Sequence, residues 1–123
     1  MARHAAPGDD FTSARELYAA AEYEDALTIL NRLRQTPSRP EDVRTIDQYR
    51  AFCLLALGRT QDAVQAIEAV VTARPMYQPS DSEVSPRIRS AFTDVRRRLL
   101  PGLIESRYNA AKSAFDQIGR AHV

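Results

Sequence analysis

Two segments of the sequence align with each other without a gap: residues 22–33 read EYEDALTILNRL, and residues 59–70 read RTQDAVQAIEAV. The alanines at the same point of the two segments, Ala26 and Ala63, lie 37 residues apart. In both segments the apolar residues recur every three or four positions, which is the period of one face of an α-helix. Such a repeat is typical of stacked helical hairpins, because a single hairpin cannot cover both of its own apolar faces.

The residues around the repeat predict further helices. The apolar stripe changes direction near Ala21, so residues 10–33 are expected to form two antiparallel helices joined by a tight turn. Helices are also predicted over residues 41–57 and 60–73, with Gly58 between them in the left-handed conformation that commonly closes a helix.

Proline residues mark the predicted breaks. Pro37 and Pro40 separate the second helix from the third, because proline lacks the N–H that a helix interior needs. Ser85 and Pro86 are residue types favoured at the N-cap and the first helical position. Pro101 lies inside the last apolar pattern and predicts either a kink or a new helix start.

The segment from Leu54 to Ala63, closed by Pro75, resembles a tetratricopeptide repeat. Residues 15–33 resemble the same repeat less completely, with Ala21 where glycine is usual. The resemblance implies an all-α fold of hairpin repeats in a short right-handed solenoid, and a non-enzymatic scaffold for protein–protein interaction. The predicted organisation is a disordered tail at 1–9, two hairpins over 10–75, a loop at 76–85, and a basic helix over 86–117 that runs into a partial third repeat.

In that family the first helix of each hairpin lines a concave groove that holds a partner peptide or helix. Carried over to this sequence, the pattern implies groove residues in all three units: Phe11, Arg15, Tyr18, Thr45, Gln48, Phe52, Leu55, Tyr108, Lys112 and Phe115. The alternative is that Phe11, Leu55 and Phe115 pack between the repeats. The expected partner is another protein or a peptide segment.

Charge is distributed unevenly around a net value of +1. Residues 1–83 contain 9 basic and 13 acidic residues, whereas residues 84–112 contain 7 and 2. On a helix Arg87, Arg97 and Arg98 fall mostly opposite the apolar stripe, so they form either a solvated face or a patch for an anionic partner. The small net charge and the lack of interleaved aromatic residues argue against nucleic acid.

Nothing in the sequence points to an enzyme, a cofactor or a metal site. The only cysteine, Cys53, lies on an inward stripe and is expected to be a core residue. One cysteine and two histidines do not suffice for a structural zinc site, and the four glycines form no phosphate-binding loop. No apolar run approaches the roughly 18 residues of a membrane span.

The last six residues, 118–123, match the translation of a common sequencing adapter, ATC GGA AGA GCA CAC GTC, so the native chain is expected to continue beyond about Asp116. The N-terminus does not have the pattern of a signal peptide. Residues 49–58 and 79–87 are similar to repeat proteins of the bacterial envelope, which implies a larger envelope-associated parent of unassigned compartment. An accessory domain of a downstream enzyme is the other possibility for the parent.

Overall fold

A computed structural model describes residues 7–36 and 39–121 of the chain, with side chains placed for residues 10–36 and 39–119. This part of the chain is all-helical and contains no strand. The five helices are α1 (Pro7–Ala19), α2 (Tyr23–Gln35), α3 (Pro40–Ala56), α4 (Thr60–Ala73) and α5 (Pro86–Ala121). The predicted all-α fold class is therefore confirmed.

Each helix packs mainly against the next helix along the chain, and α3 also contacts both α1 and α5. The helices α1, α3 and the first part of α5 thus form a row. Helix α2 packs against both α1 and α3, and α4 packs against both α3 and α5. The core lies at these contacts and consists of small alanines and large apolar side chains. Ala26, Ala51 and Ala63 have no exposed surface, and their small side chains permit the helices to approach closely.

The turns of the two hairpins have the same backbone geometry. Ala21 has a φ of 63° and Gly58 a φ of 76°, so both residues adopt the left-handed conformation. The amide of Gly58 donates to the Leu55 carbonyl at 3.1 Å, and the amide of Arg59 donates to the Leu54 carbonyl at 2.9 Å. This pair of bonds closes a helix C-terminus in the Schellman manner.

The first hairpin repeats these bonds 37 residues earlier. The amide of Ala21 donates to the Tyr18 carbonyl at 3.0 Å, and the amide of Glu22 donates to the Leu17 carbonyl at 2.8 Å. The turn predicted near Ala21 is present, and it uses alanine in a conformation that favours glycine.

Helix α1 begins at Pro7, earlier than the predicted start at residue 10. Proline is well suited to the first turn, where its missing N–H has no helical partner, and Asp10 complements the positive end of the helix dipole. The tail predicted as disordered at 1–9 is therefore helical from Pro7 onward, and its first six residues lie outside the described part of the chain, as does Pro37.

Helix α5 continues through Pro101 without interruption, so no new helix starts there. Its first turn is capped as predicted, with the Ile88 amide donating to Ser85 Oγ at 3.4 Å. Leu99 and Leu103 lie on either side of Pro101, and both are partly buried against the same core. The helix also extends into residues 118–121 of the suspected adapter tail, whereas His122 and Val123 are outside the described residues.

Residues 86–100 of α5, rather than residues 103–116, pack against the second hairpin. Ile88, Phe92 and Val95 are buried there. The sequence placed the partial third repeat at 103–116, but the first part of α5 lies next to α3 and α4, and the part beyond Leu103 contacts none of the described helices. The first part of α5 packs at this position because Phe92 makes an aromatic contact with Phe52.

Candidate functional site: an aromatic cleft between α1 and the loop before α5

An open cleft of about 640 Å³ lies between α1 and the loop that precedes α5. Its walls are formed by one face of α1, by the rings of Tyr23 and Tyr49, and by the loop at residues 81–85. The lining residues are Thr12, Arg15, Glu16, Tyr18, Ala19, Tyr23, Tyr49, Asp81, Ser82, Glu83, Val84 and Ser85. Residues far apart in sequence therefore meet at this cleft.

Aromatic rings form the floor of the cleft and continue into the core. Tyr49 contacts Phe11 and Tyr18 edge-on, with ring centroids 5.6 Å apart in each case. Phe52 lies 5.2 Å from Tyr49 and 5.7 Å from Phe92. Edge-to-face pairs at these separations are favourable, so the row of rings stiffens the joint between α1, α3 and α5.

Glu83 attaches the loop to this aromatic floor. Its carboxylate accepts hydrogen bonds from Tyr49 Oη at 3.2 Å and from Ser80 Oγ at 2.9 Å. Its backbone carbonyl accepts a further bond from Tyr18 Oη at 3.1 Å. The loop is thus tied to both α1 and α3, which defines the cleft wall opposite α1.

Burial of the tyrosines changes their acidity. Removal from water raises the pKa of Tyr18 to about 12, with a further contribution from the neighbouring Tyr23. Burial also raises the pKa of Tyr49, and the nearby Glu83 carboxylate acts in the same direction. Both hydroxyls therefore stay protonated near neutral pH and remain hydrogen-bond donors to Glu83.

Arg15 is an exposed cation beside the cleft floor. Its guanidinium carbon lies 6.0 Å from the ring centroids of both Phe11 and Tyr49, within the range of a cation–π contact. The carboxylates along the cleft are those of Glu16, Asp81 and Glu83, and Asp81 forms an ion pair with Arg89 of α5. The cleft thus offers apolar rings together with charges of both signs.

The structure brings together only part of the predicted groove. Arg15 and Tyr18 line the cleft. Gln48 and Phe52 are not among the lining residues of the cleft, and both are buried. Neither side chain is therefore open to a partner as predicted, and Phe52 packs against Phe92 of α5.

The predicted groove residues of the third unit lie elsewhere. Tyr108, Lys112 and Phe115 are all exposed on the distal part of α5, away from the cleft. Phe11 is partly buried against Tyr49, and Leu55 is buried in the core, so these two follow the packing alternative. Phe115 does not, with 74% of its surface exposed.

Sequence reasoning missed the cleft contributions of Tyr23, Tyr49 and the loop at 81–85. The turn-forming residues before Pro86 indicated a loop but carried no signal for its position. That position depends on the hydrogen bonds of Glu83 to tyrosines of two other helices. Only the packed structure reveals these bonds.

The arginines of α5 divide into structural and free side chains. Arg96 is half-buried and donates to the Tyr77 carbonyl at 3.2 Å, and Arg98 lies 3.4 Å from a carboxylate oxygen of Glu68. Arg87 and Arg97 are exposed and form no ion pair with any residue that the structure describes. The predicted patch of Arg87, Arg97 and Arg98 is therefore partly neutralised.

A second, smaller cleft of about 360 Å³ lies between α2, α3 and α4 and contains a network of ion pairs. Asp47 is buried and accepts from Arg34 Nε at 3.0 Å and from Arg50 at 3.3 Å. Arg59 pairs with Glu24 at 2.8 Å, which links the turn of the second hairpin to the start of α2. These arginines are already paired, and the pairs of Arg34 with Asp47 and of Arg59 with Glu24 link the first hairpin to the second.

Cys53 is fully buried, and burial raises the pKa of its thiol to about 12, so the nucleophilic thiolate is not formed near neutral pH. Within residues 7–36 and 39–121, no group of three metal-ligating side chains occurs. In the same part of the chain, no helix has the length and apolarity to cross a membrane.

Comparison of the chain with protein-family models, with curated proteins and with solved structures finds no match.

Proposed function

We propose that this chain is a non-enzymatic scaffold of the tetratricopeptide type, which holds a segment of another protein in the cleft between α1 and the loop at 81–85. In this proposal the two hairpins stack as a short right-handed solenoid, and the first part of α5 takes the place of the next unit. The observation that carries the proposal is the exposed Arg15 next to a floor of tyrosine rings at an open cleft.

The equivalence of the two hairpins supports the repeat assignment. The left-handed residues Ala21 and Gly58 occupy the same place in each turn, with the same pair of backbone hydrogen bonds. The small residues Ala26 and Ala63 follow at the same distance and are completely buried. A shared turn, a shared spacing and a shared buried alanine are expected of repeated units that pack by the same rule.

The composition of the cleft supports protein binding. Tyrosine and arginine are enriched among the residues that dominate binding energy at protein interfaces, because each combines apolar area with hydrogen-bonding groups. The tyrosines are held by ring packing and by Glu83, so they lose little conformational freedom when a partner binds.

The proposal is tested by selecting peptides from a random display library against the full chain and measuring their affinity for matched variants. Ala19→Arg places a long side chain in the cleft, whereas Ala20→Arg adds the same side chain at the next exposed position, outside the cleft lining. We expect Ala19→Arg to weaken binding at least about tenfold and Ala20→Arg to change it little. Selected peptides whose binding is equally indifferent to both variants would refute the cleft as the binding site.

An anionic partner bound through α5 is the second candidate, favoured by the exposure of Arg87 and Arg97. Such binding would fall steeply with added salt, because each phosphate contact releases counterions. A salt series with the double variant Arg87→Glu/Arg97→Glu separates the candidates. If the peptide still binds at moderate salt and still binds the variant, the cleft is the binding site. If binding is lost at moderate salt and in the variant, the binding site is the α5 patch.

A further inference from the structure

The distal part of α5 carries a narrow apolar stripe that no other described residue covers. It consists of Ile104, Tyr108, Ala111 and Phe115, which we call the α5 seam. Ile104, Tyr108 and Phe115 are 59%, 65% and 74% exposed. Successive members are four, three and four residues apart, which is the alternating spacing of a coiled-coil core.

We propose that the α5 seam binds the α5 seam of a second copy of this chain, as an antiparallel pair of helices. This inference does not depend on the proposed function, because the cleft lies at α1 and the seam lies on the far half of α5. The 4-3-4 spacing places the four side chains on one line along the helix, as the contact line of two paired helices requires.

The sizes of the seam residues favour the antiparallel orientation. With the two helices antiparallel, Tyr108 of one copy lies opposite Ala111 of the other, and Ile104 lies opposite Phe115. Each large ring then meets a smaller side chain. In the parallel orientation Ala111 would face Ala111 and leave a void, while Phe115 would crowd Phe115.

The charges beside the seam favour the same orientation. Glu105 and Lys112 lie on one flank of the seam, at equivalent heptad positions. In an antiparallel pair Glu105 of each copy faces Lys112 of the other, which gives two ion pairs across the interface. In a parallel pair Arg107 would instead face Lys112, and the two positive charges would repel.

The position of the seam along α5 leaves room for a partner. The seam begins just beyond Leu103, the last α5 residue packed against the core. At about 1.5 Å per residue, residues 104–115 extend roughly 17 Å. In the antiparallel arrangement the two bodies lie at opposite ends of the paired helices and do not compete for the same space.

The first test is sedimentation of the 123-residue chain over a concentration range from about 1 µM to about 500 µM. We expect a monomer–dimer equilibrium that Tyr108→Glu weakens at least about 100-fold, because a charge is then buried in the seam. Asn109→Glu is the matched control: it adds the same charge to an exposed neighbour that faces away from the seam, and we expect little change. Circular dichroism of both variants verifies that the helices are retained.

The second test exploits the predicted ion pairs. Glu105→Lys and Lys112→Glu each place like charges opposite each other in a homodimer, and we expect each to weaken it about tenfold. A mixture of the two variants pairs opposite charges again and should form a heterodimer as tight as the original dimer. A monomeric chain at the highest concentration, a dimer unaffected by Tyr108→Glu, or a mixture without restored association would overturn the proposal.

Discussion

The two hairpin turns provide a reciprocal test of the repeat, because an alanine and a glycine hold the same left-handed conformation. Ala21 has a φ of 63° and Gly58 a φ of 76°. We expect Ala21→Gly to stabilise the fold and Gly58→Ala to destabilise it by a similar amount. The hydrogen bonds of the two turns are unchanged in both variants, since they involve only the backbone.

The magnitude follows from two opposing effects. An L-residue in the left-handed region carries a strain of about 1–2 kcal/mol that glycine does not have. Glycine in turn has more freedom in the unfolded chain, which offsets about 0.4–1 kcal/mol of this difference. The net expectation is about 0.5–1 kcal/mol of added stability for Ala21→Gly.

The reverse change at Gly58 isolates the same quantity. A Cβ built on Gly58 meets no atom within 4 Å, so its cost is conformational rather than steric. Gly58→Ala should therefore lower the free energy of unfolding by about 0.5–1 kcal/mol. The double variant should lie close to the original chain, because the two turns belong to different hairpins.

Urea unfolding followed by circular dichroism at 222 nm measures these differences, with the slope against urea expected to stay constant. In thermal melts each single variant should shift the midpoint by about 2–5 °C, in opposite directions. Ala20→Gly is the control, because residue 20 does not have a positive φ, and it should destabilise by about 0.5–1 kcal/mol. An Ala21→Gly variant as destabilised as Ala20→Gly would refute the strain argument.

Three further predictions concern the core, pH and the free helix. Phe92→Ala should lower the free energy of unfolding by about 3–5 kcal/mol in urea titrations, because Phe92 is buried. Phe115→Ala, at an exposed residue, should change it by less than about 0.5 kcal/mol. Equal effects of the two substitutions would contradict the burial of Phe92. Burial raises the pKa of Tyr18 from 10.0 to about 12. The protonated hydroxyl therefore contributes its full share to the free energy of unfolding below pH 10, and this share is lost as pH rises from 10 to 12. Tyr18→Phe should show a shallower loss of stability over that range, and unchanged pH dependence would argue against the shift. At monomeric concentrations, backbone amides of residues 103–116 should exchange faster than those of residues 41–73, and equal protection would show that the seam is covered within one chain.

The local signals in the sequence were sufficient for the helices and their turns. Helix α4 begins and ends at the predicted residues, Thr60 and Ala73, because Gly58 and Pro75 bracket it. The caps at Ser85 and Pro86 were predicted for the same reason, since a cap depends on residues within one turn of the helix.

The candidate site was only partly predictable. Arg15 and Tyr18, two of the predicted groove residues, line the cleft, because both lie on the face of α1 toward the loop at 81–85. Phe52 and Gln48 were assigned to an open groove but are buried, and Phe52 packs against Phe92 of α5, which the assignment did not take into account. The loop containing Glu83 completes the cleft through bonds over 34 and 65 residues of sequence, which no local pattern reveals.

By itself, the sequence determined the all-helical class, the 37-residue internal repeat and the positions of the turns, because these depend on periodicity and on residues that end helices. Only the tertiary structure decided which aromatic side chains remain accessible and where the wall of the cleft lies. It also decided which half of α5 packs: Phe92 meets Phe52, so residues 86–100 are held against the hairpins and the α5 seam is left exposed. The physical reason is that burial is a property of neighbours brought together by folding, whereas helix boundaries are set by the residues beside them.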